Sequence, residues 1–196
     1  MNADLLLAFA LGYLFGSVPF GLILTRLAGR GDVRTVGSGN IGATNVMRAG
    51  GKGLAAATLV LDALKATAAI LLARELFDTP GTFAAAGALI GHLYPLWLRF
   101  KGGKGVATFL GILIPLLPVA AGIYAGVWIG LLVAFRFSSL AGIAAAISAP
   151  ISAALVGAHL LFPMLVGFAL LVIWKHRENI VRLRAGKEPR VGRSAQ

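Results

Sequence analysis

The stretch VATFLGILIPLLPVAAGIYAGVWIGLLVAF, residues 106–135, decides how this chain is folded. As a single helix its thirty residues would extend about 45 Å, too long for one crossing of a hydrocarbon core about 30 Å thick and short for two full ones. Pro115 and Pro118 fall near its middle, where each removes a backbone donor and opposes further helix. One helix or two at this place sets the parity of every apolar segment around it.

Working outward, apolar runs at 3–27, 54–77, 82–98 and 139–158 each approach or reach the ~20 residues a crossing needs. Residues 160–174 form a shorter run that reads as a short or tilted span. With two helices in 106–135, the total is seven. The connections after the first, third, fifth and seventh spans then share a side with the C-terminus. That side carries Arg26, Arg30, Arg34, Arg48, Lys52, Arg99, Lys101, Lys104, Arg136 and the tail residues Lys175, Arg177, Arg182, Arg184, Lys187, Arg190 and Arg193, 16 of the 18 basic residues. Lys65 lies within the second span, and Arg74 is offset by Glu75 and Asp78. A single long helix would put the basic tail across the membrane from the other basic loops, against the positive-inside rule. The expectation is an all-α integral membrane protein of seven transmembrane helices, N-terminus outside and C-terminus cytoplasmic.

Composition agrees with that reading. The chain is 58% hydrophobic and 13% charged, with mean hydropathy +0.87, too apolar for an ordinary soluble domain. No polar stretch is long enough for a core of its own, so residues 1–196 are expected to form one membrane-embedded domain. The net charge of +11 belongs to topology and gives no reason to expect nucleic acid. No basic residue precedes the first apolar run, so a cleaved signal peptide is not expected. Cysteine is absent, which removes disulfides and thiolate chemistry. Small-residue spacings at Gly12 and Gly16, at Gly87 and Gly91, and at Gly122, Gly126 and Gly130 are expected to bring helices into close contact.

Two glycine-rich loops interrupt the apolar pattern. Gly37-Ser-Gly-Asn-Ile-Gly-Ala-Thr-Asn45 matches the Gly-x-Gly-x-x-Gly dinucleotide pattern, and Asp62 falls twenty residues beyond it. That match is a decoy, because an apolar helix precedes it where a strand is required and Asp62 sits within a span. The physical content survives: Gly37, Gly39 and Gly42 permit tight turns, Ser38, Asn40, Thr44 and Asn45 are neutral hydrogen-bonding groups, and Arg48 is a forked cation. The second loop, Lys101-Gly102-Gly103-Lys104-Gly105, runs into the fourth span, so a phosphate could sit at that helix N-terminus beside Lys104. Gly105 follows Lys104 where a Walker loop has Ser or Thr, and residue 98 is Leu, so ATP is not implied. The plainer accounts are a structured turn for the first loop and topogenic lysines with glycine hinges for the second.

Other polar residues divide between two readings each. Asp62 and Lys65 are three apart on one helix, and intramembrane ionisable groups are functional candidates by default; a structural pair that fixes helix packing is the preferred account, and His92 reads as an interior histidine. Ser138 and Ser139 precede the sixth span and could cap it. His176 and Asn179 are three apart and could share a helical face, on a basic tail that could equally bind lipid headgroups. Three scattered histidines make no metal site, and no cofactor is expected.

Three segments together carry a resemblance. Gly37-Ser-Gly-Asn-x-Gly-Ala-Thr-Asn-x-x-Arg48, Gly91-His-x-x-Pro-x-x-x-x-Phe-Lys-Gly-Gly-Lys-Gly-Val-Ala-Thr108 and His176-Arg-x-Asn-Ile-x-Arg-Leu-x-x-Gly-x-Glu188 resemble the bacterial acyl-phosphate:glycerol-3-phosphate acyltransferases, the PlsY family. Ala66 departs from the pattern, standing where that family usually has Gly.

The resemblance implies transfer of a fatty acyl group from acyl phosphate to the 1-hydroxyl of glycerol 3-phosphate, giving lysophosphatidic acid and inorganic phosphate in the first acylation of phospholipid synthesis. It implies membrane lipid and a soluble enzyme supplying acyl phosphate as partners, and a bacterial inner-membrane location with a cytoplasmic active site. Among site residues it implies that Arg48, Lys104, His176 and Asn179 bind and orient phosphates, with Ser38 and Ser139 near the acyl phosphate. Asn40, Thr44, Asn45 and the glycines shape the pocket, Lys101 and Arg182 add charge, and Asp62, Lys65, His92 and Glu188 are structural. The residues offer no His-x-x-x-x-Asp and no Gly-x-Ser-x-Gly, so a covalent or His-Asp route is disfavoured. The rival class is a small anion or phosphate-ester transporter with Asp62, Lys65 and His92 along its path.

Overall fold

A computed structural model describes residues 3–192, so Arg193 of the basic tail lies outside the described residues. Helices and the loops between them make up those residues, with no strand among them. They form two compact units, the first ending at Leu116 and the second beginning at Leu117. That boundary is the break expected within residues 106–135. Helix α6 (Val106–Leu116) stops, Leu117 leaves the helical region (φ −154°, ψ 76°), and Pro118 opens α7 (Pro118–Phe135), where its missing N–H costs nothing. Pro115 lies in the last turn of α6 and leaves the Gly111 carbonyl without its donor four residues on. Thr67 Oγ1 donates to that carbonyl at 2.7 Å, so the defect is repaired from another helix.

The first unit contains α1 (Ala3–Gly16), α2 (Phe20–Leu27), α3 (Ala43–Gly50), α4 (Lys52–Leu76), α5 (Thr82–Leu93) and α6. Two of the expected small-residue contacts are here, and they face each other. A Cβ on Gly12 or Gly16 would run into the carbonyls of Ala84 and Ala88, and one on Gly87 or Gly91 into those of Phe9 and Tyr13. Helices α1 and α5 therefore approach backbone to backbone, as membrane helices do when dispersion must replace a hydrophobic drive. Helix α4 presents Ala63, Ala66, Ala69 and Ala73 to its neighbours on the same principle. A smaller core of Leu22, Val33, Ile41, Val46 and Ala55 seats the segment between α2 and α4.

The second unit contains α7, α8 (Ser138–Leu155), α9 (Phe162–Lys175) and α10 (Arg177–Arg184). Helix α8 buries Ala141, Ala145, Ala146, Ala149 and Ala153. The glycine stripe on α7 does not do what was expected of it: Gly122, Gly126 and Gly130 have open space where a side chain would project. The chain after α10 returns to the start of α8. Val191 donates its N–H to the Arg136 carbonyl at 2.7 Å and accepts from the Arg136 guanidinium at 2.9 Å, while Arg190 lies over the Phe137 ring.

The expected spans are revised in two respects. The run 3–27 is broken at Ser17–Pro19 into α1 and α2, because Pro19 cannot donate to the Phe15 carbonyl, which Val18 N–H takes instead at 3.2 Å. Among the described residues four segments, Ala3–Leu27, Lys52–Leu76, Pro118–Phe135 and Ser138–Leu155, have by themselves the length and apolar composition of a membrane span; Thr82–Leu98, Val106–Leu116 and Phe162–Lys175 are apolar but shorter.

Candidate active site

The first glycine loop is folded around one amide. Asn45, buried in the first turn of α3, donates from Nδ2 to the carbonyls of Val33, Val36 and Asn40 at 2.8–2.9 Å and accepts the Ser38 N–H through Oδ1 at 3.1 Å. Its amide is therefore engaged with the backbone of the loop on both its nitrogen and its oxygen. Asn40 Oδ1 accepts the Gly42 N–H at 2.9 Å, closing an Asx turn at the entry to α3. Gly37, Ser38, Gly39 and Arg48 remain exposed, with the Arg48 side chain lying over Gly37. Thr44 is half-buried between them on α3.

Upstream, Asp32 takes Arg26 at 2.9 Å and Arg34 at 2.6 Å. The Arg34 hydrogen bond holds this carboxyl well below the usual carboxylate range. Sequence reading missed it, although it is the only acid between Arg26 and Arg48.

The second loop is held by its neighbours. Gly102 N–H donates to the Leu93 carbonyl at 3.3 Å and Gly103 N–H to the His92 carbonyl at 3.0 Å, so the loop lies on the end of α5. A Cβ on Gly103 would overlap the His92 imidazole, and one on Gly102 the His92 carbonyl and the Pro95 ring. Arg99 and Phe100 enter the loop with left-handed φ of 52° and 62°, and Phe100 N–H donates to the Pro95 carbonyl at 3.0 Å. Gly105 accepts the first α6 bond, from Phe109 N–H, at 2.7 Å. Lys101 is exposed, Lys104 half-buried, and Gly102, Gly103 and Gly105 are buried.

Beneath this loop lies the buried pair on α4. Lys65 Nζ donates to Asp62 Oδ1 at 2.7 Å, to the Val18 carbonyl at 2.7 Å and to His92 Nδ1 at 3.0 Å. Three ammonium donors meet three acceptors, and the contact makes Nδ1 of His92 the acceptor and leaves the ring proton on Nε2. The pair expected within one helix thus also ties α4 to the break between α1 and α2 and to the end of α5. Thr108 Oγ1, in the first turn of α6, is fully buried and has no hydrogen-bond partner among the described residues. It too was missed, although it closes the quoted motif.

In the second unit the polar residues converge on Glu188. Its Oε1 accepts from Ser139 Oγ at 2.7 Å and Asn179 Nδ2 at 2.6 Å, and its Oε2 from Arg182 Nε at 2.8 Å. Burial alone would push this carboxyl up, yet those three hydrogen bonds and the Arg182 charge hold it below the usual range. Ser139 Oγ thus donates to Glu188, and Phe137, at the N-cap of α8, supplies no side-chain cap. His176, buried between α9 and α10, has Nδ1 2.7 Å from the Val172 carbonyl. A carbonyl can only accept, so Nδ1 carries the proton and Nε2 faces the other way. No group of three metal-ligating side chains occurs among the described residues.

The described residues are those of a helical, apolar protein whose polar groups gather in glycine-rich loops, a buried Asp62–Lys65–His92 network and a cluster around Glu188. Residues 6–186 match the family model for glycerol-3-phosphate acyltransferase. The glycerol-3-phosphate acyltransferase of Mesorhizobium japonicum is 54% identical over 192 residues, 98% of each chain, and that of Brucella ovis is 52% identical over 191 residues, covering 97% of this chain and 95% of its own. The crystal structure of PlsY, an integral membrane glycerol 3-phosphate acyltransferase, is similar in its glycerol 3-phosphate form with a TM-score of 0.90 at 40% identity, covering 97% of this chain and 96% of that one. Its lysophosphatidic acid form gives 0.87 at 39%, covering 96% and 95%. The chain belongs to the glycerol-3-phosphate acyltransferase family and is a membrane enzyme of that class.

Proposed function

We propose that the enzyme takes its acyl group from acyl phosphate and delivers it to the 1-hydroxyl of glycerol 3-phosphate. The hydroxyl oxygen attacks the acyl carbon and the bond from that carbon to the phosphate oxygen breaks. The hydroxyl proton passes to the donor's phosphate, which leaves as inorganic phosphate. No covalent acyl-enzyme forms, in keeping with a chain that has no cysteine and no nucleophile elbow. Arg48, Lys104, His176 and Asn179 bind and orient the phosphates, Ser38 and Ser139 lie near the acyl phosphate, and Lys101 and Arg182 add positive charge. Orientation and charge neutralisation then carry the rate.

The observation that supports this most is the likeness across nearly the whole chain to a relative solved with glycerol 3-phosphate and with lysophosphatidic acid. All seven apolar segments cross the membrane in this reading, the shorter ones where the bilayer thins around them. The N-terminus is outside, and both glycine loops and the tail face the cytoplasm across the bacterial inner membrane. The two units act as a single acyltransferase domain, fed with acyl phosphate by a soluble enzyme and releasing its product into membrane lipid.

Purified protein in detergent, given glycerol 3-phosphate and either acyl phosphate, acyl-CoA or acyl carrier protein, tests the donor. Lysophosphatidic acid is expected from acyl phosphate alone. Turnover with a thioester and none with acyl phosphate would refute the proposal.

A further inference from the structure

We infer that Lys65 and His92 are positioning residues for the reaction: held by Asp62 and the Val18 carbonyl, Lys65 fixes the His92 ring, and that ring sets the height of the Lys101–Gly105 loop at the phosphate. The inference rests on the reading that this loop binds a substrate phosphate. It goes further in assigning a task to a buried triad that packing alone does not require.

The chain of contacts is continuous within the first unit. Lys65 Nζ is bound on three sides, by Asp62 Oδ1 at 2.7 Å, Val18 O at 2.7 Å and His92 Nδ1 at 3.0 Å, and its side chain is 3% exposed. Such a cation has one stable placement, because any movement abandons a buried partner. Through Nδ1 it fixes both the tautomer and the plane of the imidazole, the device by which outer groups orient functional histidines. The opposite edge of the ring lies against Gly103, where even a methyl group would overlap Nε2. From the same residue, the His92 carbonyl accepts the Gly103 N–H at 3.0 Å. Gly103 is thus clasped between the backbone and the side chain of His92, and Lys104 is the next residue. A charge pair serving only helix packing would need neither the histidine nor the loop above it.

The test uses two substitutions that interact in opposite senses. His92→Asn removes the ring, and Gly103→Ala places a methyl group where the ring is. Each alone is expected to displace the loop and to lower inorganic phosphate affinity, read by calorimetry, and kcat/KM for glycerol 3-phosphate, each on the order of 10- to 100-fold, with little change in Tm. In the double variant the smaller side chain makes room for the added methyl, so its kcat/KM is expected to exceed that of Gly103→Ala. His92→Gln, closer to the ring in length, serves where His92→Asn does not fold.

Wild-type phosphate affinity and kinetics in His92→Asn would overturn the inference. So would a double variant no better than Gly103→Ala, variants that lose only thermal stability, or a wild-type protein that binds no phosphate. A wild type that binds phosphate but does not turn over acyl phosphate would refute the proposed function, and the phosphate measurements would still decide the role of His92.

Discussion

The two glycine loops of the first unit are similar in composition and opposite in construction. The loop at 37–45 is tied together from inside by one side chain, with Asn45 reaching the backbone at Val33, Val36, Ser38 and Asn40. The loop at 101–105 takes its shape from the end of α5, through the Leu93 and His92 carbonyls and the His92 ring. Glycine therefore serves two ends. In the first loop it permits turns around an amide; in the second it permits close approach to a template. The first should be sensitive at one residue and the second at every surface it touches.

The largest expected effect separates binding from construction. Lys104→Ala leaves both scaffolds intact and is expected to lower kcat on the order of 10²- to 10³-fold, the usual cost of one preorganised charge donor, with Tm unchanged. A steady-state assay beside a thermal melt checks both halves. Asn45→Ala should do the reverse. It strands three backbone carbonyls, a loss on the order of 2–3 kcal/mol in stability, and its melt should fall while the second loop keeps its inorganic phosphate affinity.

The Glu188 cluster in the second unit extends the comparison to a third case, in which one acceptor gathers three donors. Its folded carboxyl lies below its ordinary value of 4.5. The stability it confers is therefore complete above that ordinary value and disappears as pH falls through the lower folded one. Melts in that acidic window should steepen for the wild type relative to Glu188→Gln, and identical profiles would remove the charge from the account.

The smallest effect concerns Thr108. Replacing its buried, unpartnered hydroxyl with the isosteric Val should raise stability by about 1 kcal/mol if nothing else needs the group. A lowered melt would show that a bound water or loop contact satisfies it.

How much of this was legible in advance depends on range. The break before Pro118 and the small-residue faces of α1 and α5 follow from local rules, since a missing N–H and a missing Cβ act where they stand. The stripe Gly122, Gly126 and Gly130 obeys the same spacing, yet a Cβ at any of the three would meet no atom of the described residues within 4 Å. Spacing states what a helix permits, and only the partner decides whether it is used. The kink at Ser17–Pro19 was hidden because the run 3–27 remains apolar across it.

In the sites, residue types were readable and their allegiances were not. That Asn45 and Ser139 are hydrogen-bonding groups is plain in sequence; that their partners include Val33, Val36, Asn40 and Glu188 is not. Lys65 shows its partner Asp62 one turn away, while His92 and Val18 lie 27 and 47 residues distant. Nothing local in the sequence indicates such contacts.

The most direct test of the central claim is the stoichiometry of a single reaction in detergent. Purified protein with acyl phosphate and glycerol 3-phosphate is quenched over time, and lysophosphatidic acid, inorganic phosphate and protein-bound acyl groups are measured together. The account predicts one phosphate released per lysophosphatidic acid formed and no acylated protein at any time. An acylated protein that forms and decays at the rate of turnover would contradict it.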